Sequence, residues 1–246
     1  SGNFTLGEEV ELFEKEFAKF CGCNYAVGVG SGTSALQLSL IASGIGKGDE
    51  VITVPNSDLP TAMTISHVGA KIVFVDVDYD TYNINTRLIE QNISKSTKAI
   101  IPVHLFGLPA DMTEIKRIAK KYRLKIIEDA ALATGAELNG VKVGNLGDLG
   151  CFSLAPNKIL GAYGDAGVIT TNNRTTADKI KVISNYGHSL KMNERKFGVG
   201  KVGSTRWELL EEGYNERLDS LQASILRVKL SMLKYNIKKR IDIANN

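Results

Sequence analysis

A lysine placed in a turn after an apolar run could serve as a nucleophilic amine. Lys158 follows Ser153 by five residues and is flanked by Pro156 and Gly161. An amine attacks a carbonyl only when it is deprotonated, and a crowded, buried position lowers the pKa of a lysine far enough for this. Considered alone, a solvent-exposed loop lysine is the simpler interpretation of this position.

A glycine-rich segment, residues 28–35, could bind a phosphate group. It follows an apolar run and opens a helical segment, so the free N–H groups of a helix N-terminus would face an anion. Gly32, Thr33 and Ser34 are the candidate ligands. A dinucleotide-binding loop would have glycine in place of Thr33 and an acid at the end of the second strand, whereas the acids here precede that strand. A glycine-rich turn without a ligand explains the loop alone equally well.

An acid closes the apolar run at residues 126–127. Asp129 therefore stands at the carboxyl end of a predicted buried strand, the edge at which α/β proteins bind ligands. Its carboxylate could pair with the N–H of a pyridinium ring. Taken alone, a helix N-cap is an equally good interpretation of this aspartate.

Seven apolar runs, separated by segments of helical periodicity, must position these groups. Most runs are rich in Val and Ile and do not alternate with polar residues, which is typical of strands buried on both faces. We therefore predict a three-layer α/β/α fold with a mostly parallel central sheet. The runs are residues 25–29, 51–54, 72–75, 99–103, 126–127, 149–152 and 168–170.

Amphipathic helices are predicted from the apolar spacing of the remaining segments. One contains Phe13 and Phe17, a second follows the candidate N-cap Asp111, and a last long helix begins near Asp219. We expect residues 1–20 to lead into a large ligand-binding domain at residues 21–220. Residues 221–246 are expected to start a long helix towards a smaller C-terminal domain that lies outside this chain.

Composition argues against several classes of protein. The 246 residues are 43% hydrophobic and carry a net charge of only +3, with basic residues spread out, so no nucleic-acid partner is expected. We found neither an apolar stretch long enough to cross a membrane nor a signal peptide. Three cysteines, Cys21, Cys23 and Cys151, lack the spacing of a metal site and are expected to be reduced thiols in a cytoplasmic protein.

Taken in chain order, the phosphate loop, the strand-end Asp129 and the Ser153–Lys158 pair resemble fold-type I pyridoxal-phosphate (PLP) enzymes. The sequence most resembles the DegT/DnrJ/EryC1/StrS family of sugar aminotransferases over nearly its whole length. The matching stretches are residues 31–33, 44–51, 80–84, 101–107, 128–131, 161–165 and 215–223.

The resemblance implies a role for each candidate residue. Lys158 would carry PLP as a Schiff base and move the proton of the substrate, and Asp129 would keep the ring nitrogen protonated. Ser153 and residues 32–34 would hold the phosphate. Asn215 would reach the phosphate of a neighbouring subunit, so the active unit would be a homodimer with composite sites.

The resemblance also implies a reaction. A lysine at position 158 favours transamination over the sugar dehydration of relatives that carry histidine there. The amino donor would be glutamate or glutamine, and the acceptor a nucleotide-linked 3-keto- or 4-keto-6-deoxyhexose. Residues 185–187 and 226–230 look more like the 3-keto enzymes. A keto-cyclitol aminotransferase and a non-catalytic regulatory protein with the PLP fold are the alternatives; Thr33 disfavours a dinucleotide-dependent oxidoreductase.

Two positions depart from the family pattern. Leu132 stands where the family usually has a glutamine near the phenolic oxygen of PLP. Asp58 or Leu59, depending on where a one-residue gap falls, takes the place of an aromatic residue that stacks on the ring. His104 matches a common family position and is expected to be structural, at a strand end.

Overall fold

Strands of a seven-stranded sheet form the middle layer of the computed structural model, which describes residues 4–189 and 209–245. Their order is β1-β9-β8-β5-β4-β2-β3, and within it β9 alone runs antiparallel to both of its neighbours. The prediction of a mostly parallel sheet is confirmed, and each predicted apolar run contributes a strand. The strands are β1 Tyr25–Val29, β2 Glu50–Thr53, β3 Lys71–Phe74, β4 Thr97–Ile100, β5 Lys125–Asp129, β8 Leu149–Ser153 and β9 Gly167–Thr171, with a small hairpin of β6 Glu137–Leu138 and β7 Val141–Lys142.

Successive strand residues point to two separate cores, one on each face of the sheet. Ile52 and Ile100 belong to one core, whereas Val51 and Ile101 belong to the other. Strands buried on both faces need helices on both sides, which gives three layers. The helices are α1 Glu8–Cys21, α2 Gly32–Ala42, α3 Leu59–His67, α4 Met112–Tyr122, α5 Arg174–Ser184, α6 Ser220–Ser231 and α7 Leu233–Ala244.

The last predicted helix is interrupted. It begins after Asp219 as expected, but it stops at Met232 and a second helix follows. The hydroxyl of Ser231, the last residue of the first helix, donates to the Val228 carbonyl at 2.7 Å. Leu226 is fully buried in the same core as α1, so α6 packs into the large domain. The division at residues 20/21 and 220/221 stays a prediction.

None of the helices within residues 4–189 and 209–245 is both long and apolar enough to cross a lipid bilayer. Cys21, Cys23 and Cys151 are all buried, and none forms a disulfide.

A buried carboxylate fixes the end of β5. Glu128 accepts hydrogen bonds from the backbone N–H groups of Gly144 (2.9 Å), Leu146 (2.8 Å) and Gly147 (2.6 Å). Its Oε2 also lies 3.0 Å from Nε2 of His104, and both side chains are fully buried. A single side chain therefore joins the loop before β8 to the end of the neighbouring strand.

His104 is held on both sides of its ring. Its Nδ1 accepts a hydrogen bond from the Ala110 N–H at 3.1 Å, which leaves Nε2 to carry the proton that faces Glu128. Its own backbone N–H donates to the Asp129 carbonyl at 3.0 Å. These contacts agree with the expectation that His104 is structural at a strand end.

We predict that Glu128→Gln lowers the free energy of unfolding by about 3 kcal/mol, because the amide would turn a donor towards backbone N–H groups. Urea denaturation with two-state analysis measures the loss. Glu137→Gln, on the exposed hairpin strand β6, is the control and should leave the unfolding midpoint almost unchanged. Equal midpoints for wild type and Glu128→Gln would contradict the role given to this carboxylate.

Candidate active site

A cavity of about 360 Å³ lies beyond the carboxyl ends of β5 and β8. Such edges of parallel strands are where α/β folds bind ligands. Most of the residues predicted from the sequence share its lining, although they are spread over more than a hundred positions of the chain. They are Gly32, Thr33, Asp58, Asp129, Leu132, Ser153 and Lys158.

The glycine-rich loop ends at the first turn of α2. The hydroxyl of Ser31 caps this helix by accepting from the Ser34 N–H at 3.0 Å. A Cβ on Gly32 would lie 2.7 Å from the Ser153 Cβ, and a Cβ on Gly167 would lie 2.2 Å from the Ser31 carbonyl oxygen. Glycine at both positions thus lets β8 and β9 approach the helix N-terminus, where N–H groups suited to a phosphate are available.

Ser34 lies outside the cavity, unlike its neighbours in the loop. Its buried hydroxyl forms a short hydrogen bond to the Glu216 carboxylate and lies 2.8 Å from the Ser31 hydroxyl. Gly30 N–H also donates to the Glu216 carbonyl at 3.3 Å. Sequence reasoning missed Glu216, because its partner is 182 positions away and no local pattern indicates such a contact.

Asp129 is the buried acid of the site, 5% exposed. Its Oδ2 accepts from the Thr61 hydroxyl at 2.7 Å and its Oδ1 from the Ala131 N–H at 3.2 Å. A turn follows it, not a helix, so the helix N-cap interpretation is wrong. Burial raises the pKa of Asp129 above its ordinary value, and the hydrogen bonds from Thr61 and Ala131 and the charge of Lys158 oppose that rise.

Lys158 sits in a tight turn between β8 and β9. Its backbone N–H donates to the Ala155 carbonyl at 2.9 Å, and Ala162 N–H closes the loop on Leu154 at 2.8 Å. Gln222 of α6 accepts from the Tyr163 N–H at 2.8 Å, which ties the loop to that helix. The lysine is half-buried and lines the cavity, so the surface-loop interpretation does not describe it.

The two departures from the family pattern both face the cavity. Asp58 lines it and caps α3 by accepting from the Leu59 N–H at 2.8 Å, whereas Leu59 is 71% exposed and lies outside it. Of the two candidates, Asp58 is therefore the residue that lines the wall of the cavity. Leu132, 37% exposed, lines the cavity on the loop after Asp129.

Asn215 is separated from the cavity of its own chain. The side chain is exposed, and its Oδ1 accepts from Arg217 at 2.5 Å. Its backbone pairs with that of Asn185 as an antiparallel bridge. A larger groove of about 760 Å³ between α1 and α6 also lies away from the predicted site, and its lining includes Arg227, which pairs with Glu9 and Glu16.

The fold is that of the PLP-dependent aminotransferases. NtdA of Bacillus subtilis, solved with bound pyridoxamine phosphate (PMP), superposes with a TM-score of 0.82 and is 34% identical in sequence. The match covers 96% of this chain and 50% of that chain. The chain belongs to the DegT/DnrJ/EryC1/StrS aminotransferase family, whose model matches residues 1–246.

Two similar relatives carry different names. The chain is 46% identical to dTDP-3-amino-3,6-dideoxy-alpha-D-galactopyranose transaminase of Aneurinibacillus thermoaerophilus, over 99% of this chain and 63% of that protein. It is 43% identical to the pleiotropic regulatory protein of Geobacillus stearothermophilus, over 95% of this chain and 59% of that protein. The chain thus spans less than two thirds of the length of either relative.

Burial of Asp129 predicts a stability effect. Burial raises the pKa of Asp129 in the folded state above the ordinary 3.8, so folding favours the protonated acid. The stability that the protonated acid contributes is full below pH 3.8 and is lost as the pH rises through the folded pKa. Asp129→Asn should therefore melt at a higher temperature than wild type near neutral pH, in the cofactor-free protein. The difference should disappear as the pH falls towards the ordinary value.

Thermal melting over this pH range measures the effect. Asp165→Asn, at an exposed position on the same cavity, is the control and should melt as wild type does. A neutral-pH melting temperature of Asp129→Asn below that of wild type would show that the carboxylate stabilises the cofactor-free fold.

Proposed function

We propose that this chain is the cofactor-holding part of a PLP-dependent aminotransferase that transfers an amino group to a keto-sugar. The observation that carries the proposal is the meeting of Lys158, Asp129 and the N-terminus of α2 in one cavity. These groups fit the cofactor: a nucleophilic amine for its aldehyde, a buried carboxylate for its ring nitrogen, and a glycine-lined cradle for its phosphate.

When bound, PLP supplies an electron sink that stabilises negative charge on the substrate carbon. Lys158 would hold the cofactor covalently and, once the amine of the substrate has replaced its Nζ there, the free Nζ would carry a proton between the substrate Cα and C4′ of the cofactor. Asp129 would accept the N–H of the ring and keep it protonated. The N–H groups of Gly32 and Thr33 and the Ser153 hydroxyl would bind the phosphate, whereas the Ser34 N–H is already taken by the Ser31 hydroxyl.

The acceptor we propose is a nucleotide-linked 3-keto-hexose, with glutamate or glutamine as the donor. The name of the A. thermoaerophilus relative, a 3-amino sugar transaminase, supports the 3-position, as do the sequence blocks at residues 185–187 and 226–230. A 4-keto sugar and a keto-cyclitol are the other acceptors to test. Asp58 and Leu132 would lie beside the cofactor and give this site a wall that differs from the usual family pattern.

A regulatory protein is the second candidate, because one relative is named as such. Loading with PLP and addition of glutamate, or of glutamine in a second assay, separate the two functions. An aminotransferase turns yellow with PLP and loses that colour as one of these donors gives up its amino group. A protein that stays colourless with excess PLP would favour the second candidate.

We predict that borohydride reduction of the PLP-loaded protein places the cofactor on Lys158, as read by peptide mass mapping. Lys158→Ala should still bind PLP without a covalent bond, through the cradle and Asp129, but should lose all but a trace of turnover. Lys95→Ala, at an exposed loop lysine, is the control and should keep both the adduct and the activity. An adduct on another lysine would refute the assignment.

A homodimer with shared sites is part of the proposal. Asn215 is exposed and lies outside the cavity of its own chain, which suits a residue that serves a neighbouring subunit. Its short contact with Arg217 would hold the amide in place for that contact.

Mixed dimers test this arrangement. When Lys158→Ala protein is combined with Asn215→Ala protein, one of the two sites in each mixed dimer should have both residues intact, so activity should return to about half of the wild-type value per mixed dimer. Dimers with differently tagged subunits allow the mixed species to be purified before assay. Mixed dimers as inactive as the parent proteins would indicate sites built within one chain.

A further inference from the structure

Two hydroxyl groups lead from the cavity wall to the buried Asp129. The Ser57 hydroxyl lies 2.7 Å from the Thr61 hydroxyl, which in turn lies 2.7 Å from Asp129 Oδ2. Thr61 is 2% exposed, and Ser57 is half-buried. All three side chains belong to the lining of the candidate active site.

The chemistry of the groups sets the direction of these hydrogen bonds. An ionised carboxylate can only accept, so Thr61 must give its single proton to Asp129. The Thr61 oxygen then accepts, and Ser57 is the donor to it. The two hydrogen bonds therefore run from Ser57 to Thr61 and from Thr61 to Asp129 when the acid is ionised.

Local structure explains how the two hydroxyls meet. Ser57 and Thr61 are four residues apart on the turn that enters α3, and Asp58 caps this helix. The Thr61 N–H donates a hydrogen bond to the Asp58 carbonyl oxygen at 3.2 Å. Thr64, one turn further on, instead donates to the Pro60 carbonyl at 2.9 Å. The contact of Thr61 with the acid is thus specific to its position and is not a general property of this helix.

We propose that Thr61, supported by Ser57, is a positioning residue that keeps the Asp129 carboxylate ionised and turned towards the ring nitrogen of PLP. This inference rests on the proposed function. Thr61 occupies one lone pair of Oδ2 and Ala131 N–H occupies one of Oδ1, so the carboxylate is fixed on both sides and still has acceptor capacity for a ring N–H. A charge-assisted hydrogen bond of this kind favours the ionised acid.

Other charged or titratable groups near the acid must be considered in a pH experiment. Lys158 from the loop after β8 and His104 from the end of β4 act on Asp129, Cys151 of β8 lies close enough to be affected by it, and Asp58 lines the same cavity. None of these groups is changed by a substitution at Thr61, so the comparison of variants isolates the hydroxyl.

The experiment measures binding of pyridoxamine phosphate to the cofactor-free protein by fluorescence titration between about pH 5 and pH 8. This ligand needs no bond to Lys158. Thr61→Val should weaken binding about 10-fold, the effect of losing one hydrogen bond to a charged group. The loss of affinity on acidification should also begin at higher pH than in wild type, because the acid becomes easier to protonate.

Matched variants separate this role from a structural one. Thr61→Ser keeps the hydroxyl and should restore the wild-type profile, and Ser57→Ala should shift the profile in the same direction by less. Thr64→Val removes a buried hydroxyl from the same helix and should bind as wild type does. A ligand with carbon in place of the ring nitrogen should bind wild type and Thr61→Val equally well.

Three results would overturn the proposal. Identical profiles for wild type and Thr61→Val would show that the hydroxyl does not act on the acid. An equal loss with the nitrogen-free ligand, or in Thr64→Val, would show a packing defect. Failure of wild type itself to bind pyridoxamine phosphate or PLP would overturn the proposed function, and this inference with it.

Discussion

The burial of one carboxylate at the end of β5 is the constraint on which the site depends. An acid that is removed from water loses solvation, and the protein must offset that loss with donors and positive charge. Asp129 receives one hydrogen bond on each oxygen, from Thr61 and from Ala131. The adjacent Glu128 and His104 form a satisfied network that fixes the strand end. An acid held in this way is prepared for a cationic partner, which in the proposed function is the protonated ring of PLP.

The site also requires that several backbone segments approach one another closely. The cradle proposed for the phosphate depends on the close approach of β8, β9 and the start of α2, where a methyl group on Gly32 or Gly167 would overlap neighbouring atoms. The turn that carries Lys158 is compact for the same reason, since a Cβ on Gly161 would lie 2.5 Å from the Pro156 carbonyl oxygen. The three parts of the site are therefore positioned by elements that hardly tolerate larger residues at these points.

Much of this arrangement could be predicted from the sequence, because its signals are local. Apolar runs without alternation gave the parallel sheet, and glycines and strand-end polar residues marked the loops that meet at its edge. Contacts between distant segments had no such signal. The Ser34–Glu216 hydrogen bond depends on how α2 packs against the segment before α6, and the Thr61–Asp129 contact depends on how α3 packs against the end of β5. The roles of the individual site residues remain predictions.

The central claim is that Asp129 keeps the ring nitrogen of PLP protonated. Nitrogen-15 NMR of protein loaded with PLP that is labelled at the ring nitrogen reports this proton directly. Wild type should show the chemical shift of a protonated pyridinium near neutral pH, and Asp129→Asn should show that of a neutral pyridine. A neutral ring nitrogen in the wild-type protein would contradict the account, whatever the activity of the enzyme.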